Sequence, residues 1–381
     1  MIATIGILGG GQLGRMLTLE AKRMGYRVVT LEPFPNSPTG QIADEQIVAA
    51  YDDLRAIGEL GARTDVVTYE FENIPLASVL ALEADRRIVH PDSTALRLTQ
   101  ERVLEKTFVR ECGLPTAAVA PVRSRDELQR AAREIGFPAV LKTTMGGYDG
   151  KGQWVVRSPH DVEHAWSEAQ GRALIWEELI AFDRELSIIA ARNERGEIVA
   201  FPTSENQHDH GVLATTIVPG RIDPAIAERA RGYATTIAER LAIVGTFCVE
   251  FFERGGELLV NEIAPRVHNS GHYSLDATQI SQYETHVRAI CGLPLVEPRQ
   301  FLPAVMVNIL GTGAGDTLGG LDELLREQLL KLHLYGKAHA ALRRKMGHFT
   351  VLGDTIDEAL VKAERGRREL RWIDDRAAAL R

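Results

Sequence analysis

Short apolar runs alternating with amphipathic stretches set out the first hundred residues. Thr4 to Leu8 is an apolar strand that meets Gly9-Gly10-Gly11-Gln12-Leu13-Gly14, after which Met16, Leu17, Leu19 and Ala21 recur at helical spacing. A second strand, Arg27 to Leu31, ends in Glu32, and a third, Val66 to Tyr69, runs into Glu70-Phe71-Glu72-Asn73. A helix is predicted after Pro75 and a strand from Arg87 to His90. Strand and helix in alternation predict an open parallel α/β sheet. Helices bearing Arg97, Arg102 and Lys106 then lead to a different pattern. Val119 to Pro121 and Pro138 to Lys142 read as strands around a helix from Asp126 to Ile135, followed by strands at Gln153 to Arg157, Ala173 to Trp176 and Glu185 to about Ala191. Ala227, Ala230, Ala234, Ile237 and Leu241 form one side of a helix from Pro224 to Leu241. Beyond the proline-rich linker Pro294 to Pro303, strands are predicted at Ala304 to Leu310, Lys331 to Tyr335 and Phe349 to Leu352. Thr355-Ile356-Asp357-Glu358 fits a capping box that opens a helix to about Leu370. The breaks divide the chain into units at 1–98, 99–298 and 299–381.

Composition narrows the class. The chain of 381 residues is 45% hydrophobic and 25% charged, ordinary for a globular protein, and its net charge of −8 argues against a general binder of nucleic acid or membrane surface. Cys112, Cys248 and Cys291 are widely spaced, which predicts neither disulfides nor zinc and fits a reducing cytoplasm. Met1-Ile2-Ala3-Thr4 lacks a basic region and its apolar run breaks at Gly9, so neither a signal peptide nor a membrane span is expected there.

Several stretches concentrate chemistry. Gly9, Gly11, Gly14 and Glu32 are spaced like a dinucleotide fingerprint, although the same turn serves any anion at a helix start. Thr143 to Gly152, holding Gly146-Gly147-Tyr148-Asp149-Gly150-Lys151, is a glycine loop between strands. It departs from a Walker A loop and suits a lid whose N–H groups and Lys151 contact a triphosphate. Glu177 to Ile180 follows a strand, where backbone groups can meet a purine, and Glu185 is placed to hold ribose hydroxyls. His208 and His210 lack a third ligand for a metal, and hydrogen bonding to a ligand is preferred for them.

Gly245 to Phe252 and Glu257 to Ile263 read as a hairpin about Arg254-Gly255-Gly256. Glu250 and Glu262 are equally far from Gly256, so a simple hairpin sets the two carboxylates face to face. At about 4 Å and an effective dielectric near 20 their repulsion is roughly 4 kcal/mol, which a cation converts into binding. Oxygen ligands of this kind suit magnesium. The alternative is a register shift that buries one acid and solvates the other. Pro265, Arg266, His268, Asn269, Ser270, Gly271 and His272 follow at once, a density of polar groups that few structural segments need. A basic cluster, Lys337 with Arg343-Arg344-Lys345, suits a phosphate, although such clusters are usually solvated faces.

Lys142, Gly147 to Gly152, Glu177 to Ile180, Glu250, Asn261-Glu262 and Arg266 to His272 occur in an order that resembles the ATP-grasp superfamily. Gly9 to Gly14, the Gly147 loop and His268-Asn269-Ser270-Gly271-His272 narrow the resemblance to its 5-(carboxyamino)imidazole ribonucleotide synthase family. Thr143-Thr144-Met145 departs from it where relatives are expected to carry an arginine.

The resemblance implies an ATP-grasp fold flanked by an amino-terminal open parallel α/β (pre-ATP-grasp) domain and a small carboxyl-terminal domain, in a cytoplasmic homodimer. It implies ATP contacts from Arg102, Lys142, Gly147, Tyr148, Asp149, Gly150, Lys151, Gly152, Gln153, Glu177, Glu178, Leu179, Ile180, Glu185, His208, Asn261 and Glu262. Magnesium falls to Glu250 and Glu262. Gly11, Gln12, Leu13, Glu72, Tyr148, Lys337 and Arg344 are implied for 5-aminoimidazole ribonucleotide, and Asp149, Arg266, His268, Asn269 and Ser270 for catalysis with bicarbonate. The nearest rival is formate-dependent glycinamide ribonucleotide formyltransferase, whose relatives are expected to carry Asp-Thr-Gly in place of Asn269-Ser270-Gly271. A nicotinamide-dependent dehydrogenase and an idle nucleotide-binding subunit are the alternatives from other classes.

Overall fold

The computed structural model describes residues 2–147, 152–169 and 171–374. Four parallel strands form the first sheet, in the order Glu45–Ile47, Arg27–Leu31, Thr4–Leu8, Val66–Tyr69. Alternation along Thr4–Leu8 sends Ile5 and Ile7 to one face, where the helices Gln12–Arg23 and Gln282–Ile290 pack. Leu8 goes to the other face, with the helices Leu54–Arg63 and Leu76–Ala84. The strand expected at Arg87 to His90 does not form; a single bridge joins Val89 to Val67. Arg86, at φ 59°, turns the chain sharply just before it, and Pro91 has no N–H with which to extend the ladder.

A second, antiparallel sheet runs Val119–Val122, Leu174–Glu178, Ala139–Thr143, Gln153–Val156, with the helices Arg125–Glu134 and Val162–Ala169 packed on it. The glycine loop therefore joins a central strand to an edge strand.

Nine strands make the third sheet. Eight lie in the order Glu257–Ala264, Gly245–Arg254, Arg184–Arg192, Ser204–Asp209, Val212–Val218, Ala304–Leu310, Lys345–Leu352, Leu330–Leu334, while Ile198–Ala200 pairs off Arg184–Arg192. The helix Pro224–Leu241 buries Ile226, Ala230, Ala234, Ile237 and Leu241 against Phe247, Val249 and Phe251, so Ile226 rather than Ala227 begins the apolar stripe. Ala304–Leu310 hydrogen-bonds to Val212–Val218, and the sheet passes without a break across the proline-rich linker. At the helix Ile356–Glu369 the Thr355 hydroxyl accepts from Glu358 N at 3.2 Å, while the Glu358 carboxylate accepts from Asp354 N at 2.8 Å. The predicted capping box thus closes one residue before the cap.

Candidate active site

A cleft of about 1210 Å³ opens where these units meet. Its wall takes Gln12, Leu13 and Glu72 from the first unit, Lys142 and Gln153 from the second sheet, and Glu185, His208, Glu250, Glu262 and Arg266 from the third. Three separate stretches of sequence thus supply one site.

Glu250 and Glu262 do face each other, by a route the sequence does not announce. The turn is Gly255-Gly256, both at positive φ, and it pairs Arg254 with Glu257. A regular ladder from that turn would oppose Glu250 to Asn261 and send Glu262 to the other face. A bulge between Glu250 and Phe251 instead leaves Asn261 as an extra residue and sets Glu250 opposite Glu262. Burial first, then repulsion from Glu262, pushes the Glu250 carboxyl up to about 8. Two facing carboxylates in a polar cleft, one of them disfavoured as an anion, are a donor set that fits a hard divalent cation.

Around this pair the charges are ordered. Arg102 Nη1 lies 3.6 Å from Glu262 Oε2, and its Nη2 reaches Gly147 O at 3.3 Å. Lys142 Nζ is 2.8 Å from Glu177 Oε1. Burial works to raise the Glu177 pKa, but Lys106 and Lys142 prevail and hold it below the usual carboxylate range. Glu177 is buried off the cleft wall, and it acts there by aiming Lys142. Glu178 and Leu179 donate their N–H groups to Ala118 O and Pro138 O. Among the described residues Ile180 N–H has no partner, and like Glu178 and Leu179 it lies off the cleft wall. His208 Nδ1 meets Glu185 Oε2 at 2.7 Å; burial lowers the His208 pKa, and the Glu185 hydrogen bond with the nearby Glu250 charge more than offsets it. His210 is exposed, its Nε2 3.8 Å from Asp209 Oδ1.

The polar stretch after Glu262 divides into parts. Arg266 Nε donates to Glu72, which stays ionised despite burial, and Nη1 donates to Val267 O, so only part of the guanidinium fork is left for an anion. Asn269 is buried on the cleft wall, and neither atom of its amide has a partner among the described residues. A buried amide left open in this way marks a ligand position. Ser270 N donates to His268 Nδ1 at 3.3 Å, which makes Nδ1 the acceptor and leaves the proton on Nε2, 3.5 Å from Glu250 Oε1. Burial and the Arg266 charge hold His268 well below the usual imidazole range, so the ring is neutral. Ser270 is fully buried, linked to Ser187 at 2.8 Å and to His268 Nδ1 at 2.9 Å, and it reaches the cleft only through that ring. His272 lies in the core, its Nδ1 bonded to the Tyr283 hydroxyl at 2.8 Å.

The amino-terminal glycine turn does not serve as a dinucleotide site. Gly11 N and Gly14 N both donate to the Glu70 carboxylate, the latter at 2.7 Å, while Gly10 N donates to Glu32 at 2.9 Å. A Cβ on Gly11 would lie 2.5 Å from Glu70 Oε1. The glycines are therefore explained by the approach of Glu70, and the fingerprint reading is overturned. Gln12 and Leu13, the first two helical residues, keep N–H groups without a partner among the described residues. Lys337 Nζ reaches Gln12 Oε1 at 2.7 Å, bringing a cation to that helix start. Arg344 is exposed and donates to His339 O at 3.0 Å, off the cleft wall; Lys345 takes that place. Tyr148, Asp149, Gly150 and Lys151 lie outside the described residues; Gly147 and Gln153 line the cleft.

Sequence reasoning did not single out Glu105, and it named Lys106 without giving it a role. Both are buried in the helix Arg102–Glu111: Glu105 accepts from Ile263 N at 2.6 Å, and Lys106 donates to Asn261 O at 2.6 Å. Burial, against the pull of Lys106, holds the Glu105 carboxyl up at about 8. Their only signal in the sequence is helical spacing from Arg102.

Comparison with known proteins agrees with this assembly. The chain matches the ribonucleotide synthetase preATP-grasp domain over residues 2–100, the ATP-grasp domain over 107–283 and the phosphoribosylaminoimidazole carboxylase C-terminal domain over 304–362. It is 44% identical to the N5-carboxyaminoimidazole ribonucleotide synthase of Bacillus subtilis across 93% of each chain. The crystal structure of the Thermotoga maritima synthetase superposes with a TM-score of 0.89 at 41% identity, covering 98% of this chain and 99% of that one. The Aspergillus clavatus N5-carboxyaminoimidazole synthase, solved with ADP and 5-aminoimidazole ribonucleotide, superposes with a TM-score of 0.89 at 31% identity, covering 96% and 98%. The chain belongs to the N5-carboxyaminoimidazole ribonucleotide synthase family of ATP-grasp proteins.

Proposed function

We propose that the protein is an ATP-dependent carbon-nitrogen ligase that carboxylates the exocyclic amine of 5-aminoimidazole ribonucleotide with bicarbonate in purine biosynthesis. The observation that carries this reading is one cleft with a facing carboxylate pair, a buried lysine, a half-buried arginine and an amide with no partner among the described residues. A bicarbonate oxygen attacks the γ-phosphorus of ATP, ADP leaves, and carboxyphosphate forms. The amine then attacks the carboxyl carbon, phosphate leaves, and the amine gives up a proton.

Most of the catalytic task is position and charge neutralisation. Glu250 and Glu262 would hold Mg2+, which neutralises phosphate charge when bound. Lys142, aimed by Glu177, faces the phosphates with Arg102. Ile180 N–H serves the base, and Glu185, oriented by His208, the ribose. Arg266, braced by Glu72, offers its remaining N–H groups to bicarbonate, and the Asn269 amide and His268 Nε2–H orient the anion against the amine. The Gln12 and Leu13 N–H groups with Lys337 receive the ribonucleotide phosphate, to which Arg344 swings from the surface. Asp149 of the lid takes the amine proton. A cytoplasmic homodimer completes the reading; no helix of the described residues is long and apolar enough to cross a membrane.

Purified protein is expected to hydrolyse ATP faster when aminoimidazole ribonucleotide and bicarbonate are added together. Stimulation by formate with glycinamide ribonucleotide, and not by this pair, would overturn the assignment.

A further inference from the structure

The carboxylate pair depends on a bulge, and a bulge needs support. Gly255-Gly256 fixes the hairpin so that a regular ladder would separate Glu250 from Glu262; only the extra residue Asn261 brings them opposite. Inserting a residue takes backbone groups out of the ladder, and a buried group left without a partner is destabilising. The two groups at issue flank Glu262: the Asn261 carbonyl and the Ile263 amide. Glu257–Ala264 is the edge strand of its sheet, so neither group has a further strand to meet.

Both are met by consecutive residues of one helix. Lys106 Nζ donates to Asn261 O at 2.6 Å and Glu105 Oε1 accepts from Ile263 N at 2.6 Å. Nearby, Thr116 Oγ1 donates to Val260 O at 2.7 Å and accepts from Lys106 Nζ at 3.2 Å, while Pro115 O accepts from Val260 N at 2.8 Å. The strand is thus held on its open side at Val260, Asn261 and Ile263. Lys106 and Glu105 are among the most buried charged residues of the chain, at 1% and 2% exposure, so their side chains have no freedom to leave these contacts. Lys106 Nζ also lies 3.9 Å from Glu177 Oε2, whose other oxygen holds Lys142. Arg102, one turn before Lys106 on the same helix, faces Glu262 itself.

From this geometry we propose that Glu105 and Lys106 are positioning residues which grip the strand on either side of Glu262, maintain the Asn261 bulge and thereby create the divalent-cation site. Neither touches the cation. Lys106 in addition keeps the metal carboxylates in register with the phosphate-binding Lys142, through Glu177. The inference rests on the reading of Glu250 and Glu262 as cation ligands.

The test is Mn2+ binding followed by electron paramagnetic resonance in the presence of ADP, with ribonucleotide KM measured alongside. Glu105→Met, which keeps side-chain length and removes the acceptor, is expected to weaken Mn2+ binding tenfold or more while leaving the ribonucleotide KM unchanged. Glu105→Gln retains an acceptor for Ile263 N–H and is expected to stay within threefold of the unsubstituted protein. Lys106→Met, an independent way of opening the grip, is expected to weaken Mn2+ binding like Glu105→Met. Mn2+ affinity within threefold of normal in both methionine variants would overturn the proposal, and so would a loss in Glu105→Gln as large as in Glu105→Met. Glu262→Gln separates the two layers of argument. If it leaves Mn2+ affinity unchanged, the cation reading itself fails; if it weakens binding while the methionine variants do not, only the grip fails.

Discussion

At Glu250 the structure sets two like charges across a ladder and lets burial raise the cost. The carboxyl stays protonated up to about pH 8, and a cation must displace that proton to bind. Affinity for Mg2+ is therefore expected to fall as pH falls below 8, by up to about tenfold per unit, and to level off above 8. Calorimetric titrations at pH 6, 7, 8 and 9 in the presence of ADP check this, and a flat profile would count against Glu250 as a ligand. Glu262→Gln removes one charge of a repelling pair and no packing. Turnover is expected to drop about 100-fold or more while the melting temperature without ligands holds or rises. A substantial fall in melting temperature would show instead that the carboxylate has a structural task. The single-residue chemistry here was largely legible in the sequence, because Glu250, Glu262, Arg266 and Asn269 are residue types with few structural uses in an apolar setting. What each one touches was not. Arg266 is braced by Glu72, distant in sequence, and Ser270 is buried against His268 rather than set on the cleft wall.

Among elements, the glycine turn and the hairpin show how local pattern can mislead. Gly9, Gly11 and Gly14 read as a pyrophosphate cradle, yet the anion they accommodate is the chain's own Glu70, bound by Gly11 N and Gly14 N. Gly11→Ala is expected to displace that carboxylate, uncap the helix Gln12–Arg23 and destabilise the protein by about 1–3 kcal/mol, as read by urea unfolding, with a raised KM for the ribonucleotide. A neutral effect on both would mean that Glu70 has room to move aside. In the hairpin the predicted pairing of Glu250 with Glu262 holds, but through a bulge rather than the turn assumed from symmetry about Gly256. Bulges leave no clear mark on composition or periodicity. They are imposed by neighbours, here a helix more than 150 residues earlier in the chain.

In the whole molecule, buried histidines join the parts. His286 Nε2 meets Thr68 Oγ1 at 2.9 Å and its Nδ1 accepts from Thr246 N at 3.0 Å, tying the first sheet to the third. His348, on the strand Lys345–Leu352 of the third sheet, packs against His272 with ring centroids 4.6 Å apart and the rings tilted by 30°. Burial lowers the pKa of His286 to about 3 and holds His268, His272 and His348 well below the ordinary 6.5. These rings stay neutral in the folded protein and take up protons on unfolding, so below pH 6.5 the unfolded state binds more protons. The stabilisation is complete above 6.5 and is lost as pH falls from there toward the folded values. Each ring is expected to remove on the order of 1 kcal/mol per pH unit within that window. Because the raised carboxyls of Glu105 and Glu250 work in the opposite direction over this range, urea unfolding at pH 7.5 and 5.5 is compared between two proteins: His286→Gln is expected to lose less stability on going to pH 5.5 than the unsubstituted protein, by one ring's share. An equal change in both proteins would contradict the neutral state of His286.

The sequence by itself determined the alternating first unit, the antiparallel strands that follow and the residue types able to handle a nucleotide, a cation and an oxyanion. Those are set by short-range periodicity and by side-chain chemistry, which a linear pattern carries. Only the tertiary structure decided that the glycine turn is filled by Glu70, that Lys142 is aimed by Glu177 and that Glu250 meets Glu262 across a bulge held by Glu105 and Lys106. Each of these is a contact between segments far apart in the chain, and its geometry exists only when the three sheets are packed around one cleft.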